Sequence, residues 1–137
     1  MAEHISFNPD CLRDCMILIE KLLILENGNP IPITWNKIFE NENLTTKYSK
    51  DLIKYTLHIL KDNNYITTSN YSYNKTTDKV YSMTISNITM TGFEFITNAK
   101  NDTAWNKAKA KAKSIGGMSF DTFVKILPVI ISQMIKQ

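Results

Sequence analysis

Apolar residues recur along this chain with two different periods, and the order of those periods predicts its elements. Across residues 8–26 they return every three or four positions, as on one face of a helix: Cys11, Leu12, Cys15, Met16, Leu18, Ile19, Leu22 and Leu23. Asn8 suits the cap, Pro9 the first helical position, where no N–H is needed, and Asn27-Gly28 the stop. Ile17 and Ile24 fall on the opposite face, among Arg13, Glu20 and Lys21. They need a second cover, either a C-terminal helix or a second copy of the chain.

Pro30-Ile31-Pro32-Ile33 suits only a short edge strand pairing with a later hairpin, because each proline removes a ladder donor. Thr34 then caps a short helix through Trp35, Ile38 and Phe39, and the polar residues 40–47 read as a turn. Ser49 caps a helix over 50–62, with Leu52, Ile53, Thr56, Leu57, Ile59 and Leu60 inward and Lys50, Lys54, His58 and Lys61 outward. After Asn63-Asn64 the period changes to two. Residues 65–73 and 80–88 are rich in Thr, Tyr, Ile and Val and flank the turn-forming residues 74–78, which predicts a β-hairpin. Tyr81, Met83 and Ile85 alternate inward, whereas Ile88 and Met90 continue on the opposite parity, so a bulge or strand end is expected near Asn87.

Thr91-Gly92-Phe93-Glu94 has the form of a capping box opening a helix to Lys100. Asp102 caps the next helix, which Gly116-Gly117 ends. In it Ala104, Trp105, Ala108, Ala112 and Ile115 share one face, and Lys107, Lys109, Lys111 and Lys113 fall on both flanks, as snorkelling edges and not as a continuous phosphate ladder. Ser119 caps a last helix with a strong apolar stripe that includes Phe120, Phe123, Val124, Leu127, Ile130, Ile131, Met134 and Ile135, and Pro128 at its edge predicts a kink. This stripe packs on the first helix, pairs with its copy in a homodimer, or does both. The candidate partner contacts are therefore Ile17, Ile24, Phe123, Leu127, Ile130 and Met134.

Two apolar-faced segments, a lysine-bearing helix and a hairpin, in that order, spell a winged helix-turn-helix. The expected fold is α+β and mainly helical, with a winged-helix body over 1–90 and a C-terminal helical extension over 91–137 packed on it as one compact domain. A length of 137 residues suits one domain.

Composition narrows the setting. Apolar residues make up 43% and charged residues 21%, values of an ordinary globular protein. The N-terminus lacks a basic segment leading into a long apolar run, and no stretch reaches the roughly 18 apolar residues of a membrane span, so a cytoplasmic protein without a membrane partner is expected. Arg13 is the only arginine among 16 basic residues, and Ile, Asn and Lys abound, the bias of an AT-rich genome. A bacterial or phage source follows, with the bacterial host cytoplasm as its place. The net charge of +3 is uneven: residues 1–64 hold 7 basic against 9 acidic side chains, and residues 65–137 hold 9 against 4.

Candidate chemistry is sparse. Cys11 and Cys15 lie one turn apart on the core face, but zinc takes four ligands and only His4 and His58 remain, so they read as core residues and no metal is expected. No Gly-rich phosphate loop, Ser/His/Asp set or carboxylate pair is present, so neither an enzyme, a catalytic residue nor a cofactor is expected. For double-stranded DNA, Lys50, Lys54 and Lys61 share one edge of their helix, Tyr48 and Ser49 precede it, His58 lies outward, and Lys75 and Lys79 flank the hairpin tip. Asp51 and Asp62 lie beside the lysines, and arginine, the commonest reader of guanine, is missing from this surface. Two functions are thus expected in competition. One is a regulatory DNA-binding protein of a phage or prophage. The other is a phage-encoded interaction module that inhibits a host enzyme or defence complex without DNA; a mainly structural homodimer is a third.

Residues 88–96, Ile-Thr-Met-Thr-Gly-Phe-Glu-Phe-Ile, followed by 101–107, Asn-Asp-Thr-Ala-Trp-Asn-Lys, resemble the signature of an uncharacterised family of small phage and prophage proteins, a domain of unknown function. The resemblance takes in Tyr55-Thr56-Leu57 and Asn63-Asn64-Tyr65-Ile66 and so covers most of the chain. The family usually has a histidine at the position of Phe93, and this chain departs further within the wing. What the resemblance implies is a winged-helix body, a helical C-terminal extension and a mobile-element origin; it implies no activity and no site residues.

Overall fold

The computed structural model describes residues 7–77, 79–116 and 118–135, with the backbone alone for Tyr73, Lys79, Val80 and Tyr81. The fold is α+β and mainly helical, and it divides into two compact units: Asp10–Phe93, and the described residues before Asp10 together with those after Phe93.

In the first unit, α1 (Pro9–Leu22) carries Asp10 in its first turn and Lys21 in its last, charges that complement its dipole, and buries Cys11, Leu12, Cys15, Met16 and Ile19 completely. It ends four residues before the expected Glu26. Leu25–Glu26 (β1) and Asn29–Pro30 (β2) instead pair as a small antiparallel hairpin. Asn27 and Gly28 both have positive φ, 52° and 82°, the requirement of the tight turn that matches strand twist, so Asn-Gly acts here as a hairpin signal and not as a helix stop. The expected edge strand shrinks to β3 (Ile33–Thr34), because Pro30 is taken by β2.

Thr34 occupies the N-cap of α2 (Trp35–Phe39), although its side chain makes no capping bond. The expected turn over 40–47 is largely a helix, α3 (Glu42–Lys47): the Asn41 side chain accepts from the Leu44 N–H at 3.0 Å, and Leu44 is buried, giving this polar segment both a cap and an anchor. As expected, α4 (Lys50–Asp62) is capped by Ser49, whose hydroxyl accepts from the Leu52 N–H at 3.1 Å, and turns Ile53, Thr56, Leu57 and Leu60 inward. The Thr56 hydroxyl donates to the Leu52 carbonyl at 2.8 Å and lies 3.4 Å from Cys11 Sγ, where α4 meets α1. Asn64, at φ 61°, ends the helix in the left-handed region.

The hairpin strands β4 (Ile66–Asn74) and β5 (Lys79–Ile88) complete a three-stranded antiparallel sheet in the order β3-β5-β4, with Ile33 opposite Ile85. Thr67 faces Asn87 but Thr68 faces Ile85, so Ser86 is an extra residue. This bulge changes parity where expected and lets Ile85 and Ile88 both be buried. Met83 also points inward; the Tyr81 side chain lies outside the described residues. Met90 does not continue the strand. It opens α5 (Met90–Ala99) and is 77% exposed.

The cap of α5 is Thr89, not Thr91: its hydroxyl accepts from the Gly92 N–H at 3.0 Å, and its own N–H donates to the Tyr65 carbonyl at 3.1 Å. A Cβ at Gly92 would lie 2.2 Å from that carbonyl oxygen, so this close approach of two backbones requires glycine. Tyr65 is itself buried, which pushes its phenol pKa up to about 12.

In the second unit, Asn101 and not Asp102 caps α6 (Asp102–Ser114), accepting from the Ala104 N–H at 2.9 Å, while Asp102 takes the first turn. Gly116 follows at φ 83°; Gly117 lies outside the described residues. Ala104, Trp105, Ala108 and Ala112 form the buried face, but Ile115, expected with them, is the C-cap and is 55% exposed. Ser119 caps α7 (Phe120–Ile135) as expected, its hydroxyl accepting from the Thr122 N–H at 3.2 Å, and α7 packs on α6. The Trp105 ring meets Phe123 edge-on at 4.7 Å between centroids and Phe95 at 6.0 Å, and Phe7 adds contacts to Phe120 and Phe123. Pro128 takes an exposed position within α7.

Candidate functional site

Burial sorts the surface of α4 into two parts. Opposite the core lies a crown of Asp51, Tyr55 and Asp62, all exposed, with His58 half-buried among them. Lys50, Lys54 and Lys61 lie to one side of it, on a single edge. The crown is the part of a helix that would enter a groove, and here its charge is negative.

The edge lysines rest on aromatic rings. Lys50 Nζ stands 5.0 Å from the centroid of Phe39, and Lys54 Nζ stands 5.0 Å from Trp35 and 5.8 Å from Phe39. Farther along, Lys61 Nζ is 4.1 Å from the ring of Tyr71 and 3.8 Å from Asp62 Oδ1. Such ring contacts stabilise an ammonium by about 0.5–1 kcal/mol at exposed sites while leaving N–H donors for an anion. His58 is occupied on both ring nitrogens, with Nδ1 2.7 Å from the Tyr71 hydroxyl and Nε2 2.8 Å from Asp62 Oδ2.

Two other candidates, Tyr48 and Ser49, serve the fold. The Tyr48 hydroxyl donates to Asp14 Oδ2 at 2.7 Å, and burial, then that carboxylate, holds its pKa far above the usual phenol value. It is thus a strut from the α3–α4 junction to α1; Lys47 lies 3.9 Å from the same carboxylate oxygen. Ser49 is committed as a cap. Lys75 is exposed in the hairpin turn, where Asn74 Oδ1 accepts from the Thr76 and Thr77 N–H groups. Lys79 opens β5, and its side chain lies outside the described residues.

Trp35, Phe39 and Tyr71 are the residues that sequence reasoning missed. The first two occur four apart on α2 and read simply as its apolar face, and Tyr71 reads as an ordinary strand residue. Their value as platforms depends on where α2 and β4 meet α4.

Of the candidate partner contacts, Phe123 and Leu127 are buried, whereas Ile130 and Met134 are half-buried. Ile24 is 60% and Leu25 73% exposed beside the β1–β2 hairpin. Ile17 lines a groove of about 200 Å³ between α1 and α3, with Leu18 and Leu44 among its walls and Lys21 and Lys47 on its rim.

Cys11 and Cys15 are buried with their sulfurs 4.0 Å apart. The hydrogen-bonding contact with Cys11 and then burial raise the Cys15 thiol well above its usual pKa, and the same contact lowers that of Cys11. Among the described residues no group of three or more His, Cys, Asp or Glu side chains is placed to hold a metal, and no helix is long and apolar enough to cross a membrane. Charge is divided between the units: residues 10–93 hold nine basic and nine acidic side chains, and residues 94–137 hold seven lysines against three acids.

Comparison with known proteins gives a family match. The model of a family described as hypothetical protein (DUF2513) matches residues 7–119. No curated protein and no solved structure matches the chain.

Proposed function

We propose that this chain, which belongs to the hypothetical protein family DUF2513, is a winged-helix protein that holds duplex DNA by its phosphates. Apart from the small β1–β2 hairpin inserted after α1, the element order α1, β3, α2, α3, α4, β4, β5 and the strand order β3-β5-β4 support the winged-helix reading, with α4 as the second helix of the pair and β4–β5 as the wing. The observation that carries the DNA reading is the alignment of Lys50, Lys54 and Lys61 on one edge of α4, each ordered on a ring, with Lys75 exposed at the wing tip. Ordering a lysine before binding reduces the side-chain entropy lost on contact. The acidic crown and the lack of arginine favour backbone contact over base reading. A regulatory protein of a phage or prophage fits the Ile-, Asn- and Lys-rich composition.

Salt titration of binding to a mixed-sequence duplex tests this. Each neutralised phosphate contributes roughly −0.9 to the slope of log K against log salt, so four lysines predict a slope of about −3 to −4. Absence of binding at about 50 mM salt, or a K50E/K54E variant that binds like the parent, would sink the reading.

A second reading has its own support. Asp51, Tyr55 and Asp62 on the α4 crown, with the exposed Ile24 and Leu25, suit a protein-interaction module whose partner, for example a host enzyme, presents a basic surface. Under it, D51K/D62K abolishes partner binding while K50E/K54E leaves it intact.

A further inference from the structure

The acidic crown of α4 contrasts with that of α6, and from the latter we infer a second nucleic-acid face. We propose that α6 enters the major groove of duplex DNA, with Lys107 and Lys111 along one phosphate wall and Lys109 and Lys113 along the other. This rests on the same class of partner as the reading above but not on α4.

Ala104, Trp105, Ala108 and Ala112 face the core, so the outward ridge of α6 is Thr103, Asn106, Ala110 and Ser114, all exposed, short and uncharged. Lysine rows flank this ridge on both sides. Lys107, Lys111 and Lys113 are exposed, and among the described residues none of these three makes an ion pair. Asp102, in the first turn, is the one carboxylate on the helix.

The dimensions agree. A helix with its side chains is roughly 10–12 Å across, and 13 residues span about 20 Å, whereas the major groove is about 12 Å wide. A small-residue ridge lets the backbone approach the base edges while the rows reach opposite phosphates. Charge complementarity selects a polyanion, and the ridge selects among polyanions. A membrane surface needs large apolar anchors, which the ridge lacks. Single strands need aromatic platforms, and the only aromatic residue of α6, Trp105, is buried. Duplex RNA presents a major groove too narrow for a helix.

The test uses the full chain, a mixed-sequence DNA duplex of about 20 base pairs and three variants: K107Q/K111Q/K113Q, A110E and K50Q/K54Q/K61Q. The first should bind at least about tenfold more weakly near 100 mM salt, with the salt slope shallower by roughly 2–3. A110E keeps every lysine but puts bulk and negative charge on the ridge, and should lose affinity comparably. Lys50, Lys107, Ala110, Lys111 and Lys113 are exposed and Lys54 and Lys61 are half-buried, and an unchanged melting curve verifies the fold of each variant.

If the α6 lysine variant binds like the parent while the α4 variant fails, the α6 inference is overturned and the α4 reading stands. The reverse pattern upholds α6 and removes α4 from the contact. Loss with the lysine variant but not with A110E overturns groove entry. Tighter parental binding to an RNA duplex, or to phosphatidylserine vesicles, overturns DNA as the occupant. No binding of the parent to DNA at about 50 mM salt overturns both proposals.

Discussion

Helices α4 and α6 are each 13 residues long, and each carries lysines on its flanks, yet they present opposite surfaces. In α4 the outward ridge is acidic and the lysines lie to one side, against Trp35, Phe39 and Tyr71. In α6 the ridge is small and neutral and the lysines flank it on both sides. Counting charges therefore misjudges a helix as a nucleic-acid surface. What matters is which direction the charge takes relative to the buried face, and what already holds it.

The two helices are also anchored differently, and the largest expected effects test that. Trp105 is the central ring of the α6–α7 packing and Ala residues make up the rest of that helix's buried face, so W105A should cost about 3–5 kcal/mol and melt the second unit. Survival of α6 helicity by circular dichroism would show that its face is held by something else. On the other side, the chain leaving α4 is fastened where Gly92 touches the Tyr65 carbonyl, and G92A should destabilise by roughly 1–3 kcal/mol in a denaturant titration.

Smaller changes separate strut from contact. Y48F removes the hydrogen bond to Asp14 and should cost about 1 kcal/mol in stability while leaving any DNA affinity unchanged. An affinity loss exceeding the stability loss would move Tyr48 into the interface. Neutralising the α4 crown with D51N/D62N should change stability little, within about 0.5 kcal/mol, and strengthen DNA binding a few-fold by removing like charge near phosphates. Unchanged binding would place α4 away from the DNA.

Much of the fold was legible in the sequence because its signals were local. The Ser49 and Ser119 caps, the inward face of α4, the hairpin over 66–88 and the bulge before Asn87 all follow from periodicity and turn chemistry within a few residues. The errors arose where one motif has two uses. Asn27-Gly28 ends helices but also turns hairpins, and residues 40–47 look like a turn until Asn41 and Leu44 supply a cap and an anchor. Thr89 displaced Thr91 as a cap because the strand ends at Ile88 and Gly92 must approach Tyr65, a contact across 27 positions that no local pattern records.

The candidate site was less legible. Lys50, Lys54 and Lys61 were identified from their shared edge, but the rings beneath them come from α2 and β4. Tyr48, seen in sequence as a surface donor, is claimed by Asp14 from 34 positions away. The lysines of α6, read as edges of a packed helix, became a candidate face only once burial defined the ridge between them.

The salt dependence of full-chain binding to a DNA duplex of about 20 base pairs, followed from about 50 to 200 mM salt, tests phosphate contact most directly. A linear fall of log K against log salt, with a slope of about −3 or steeper, is the predicted result. A flat response, or no binding at the lowest salt, would contradict it.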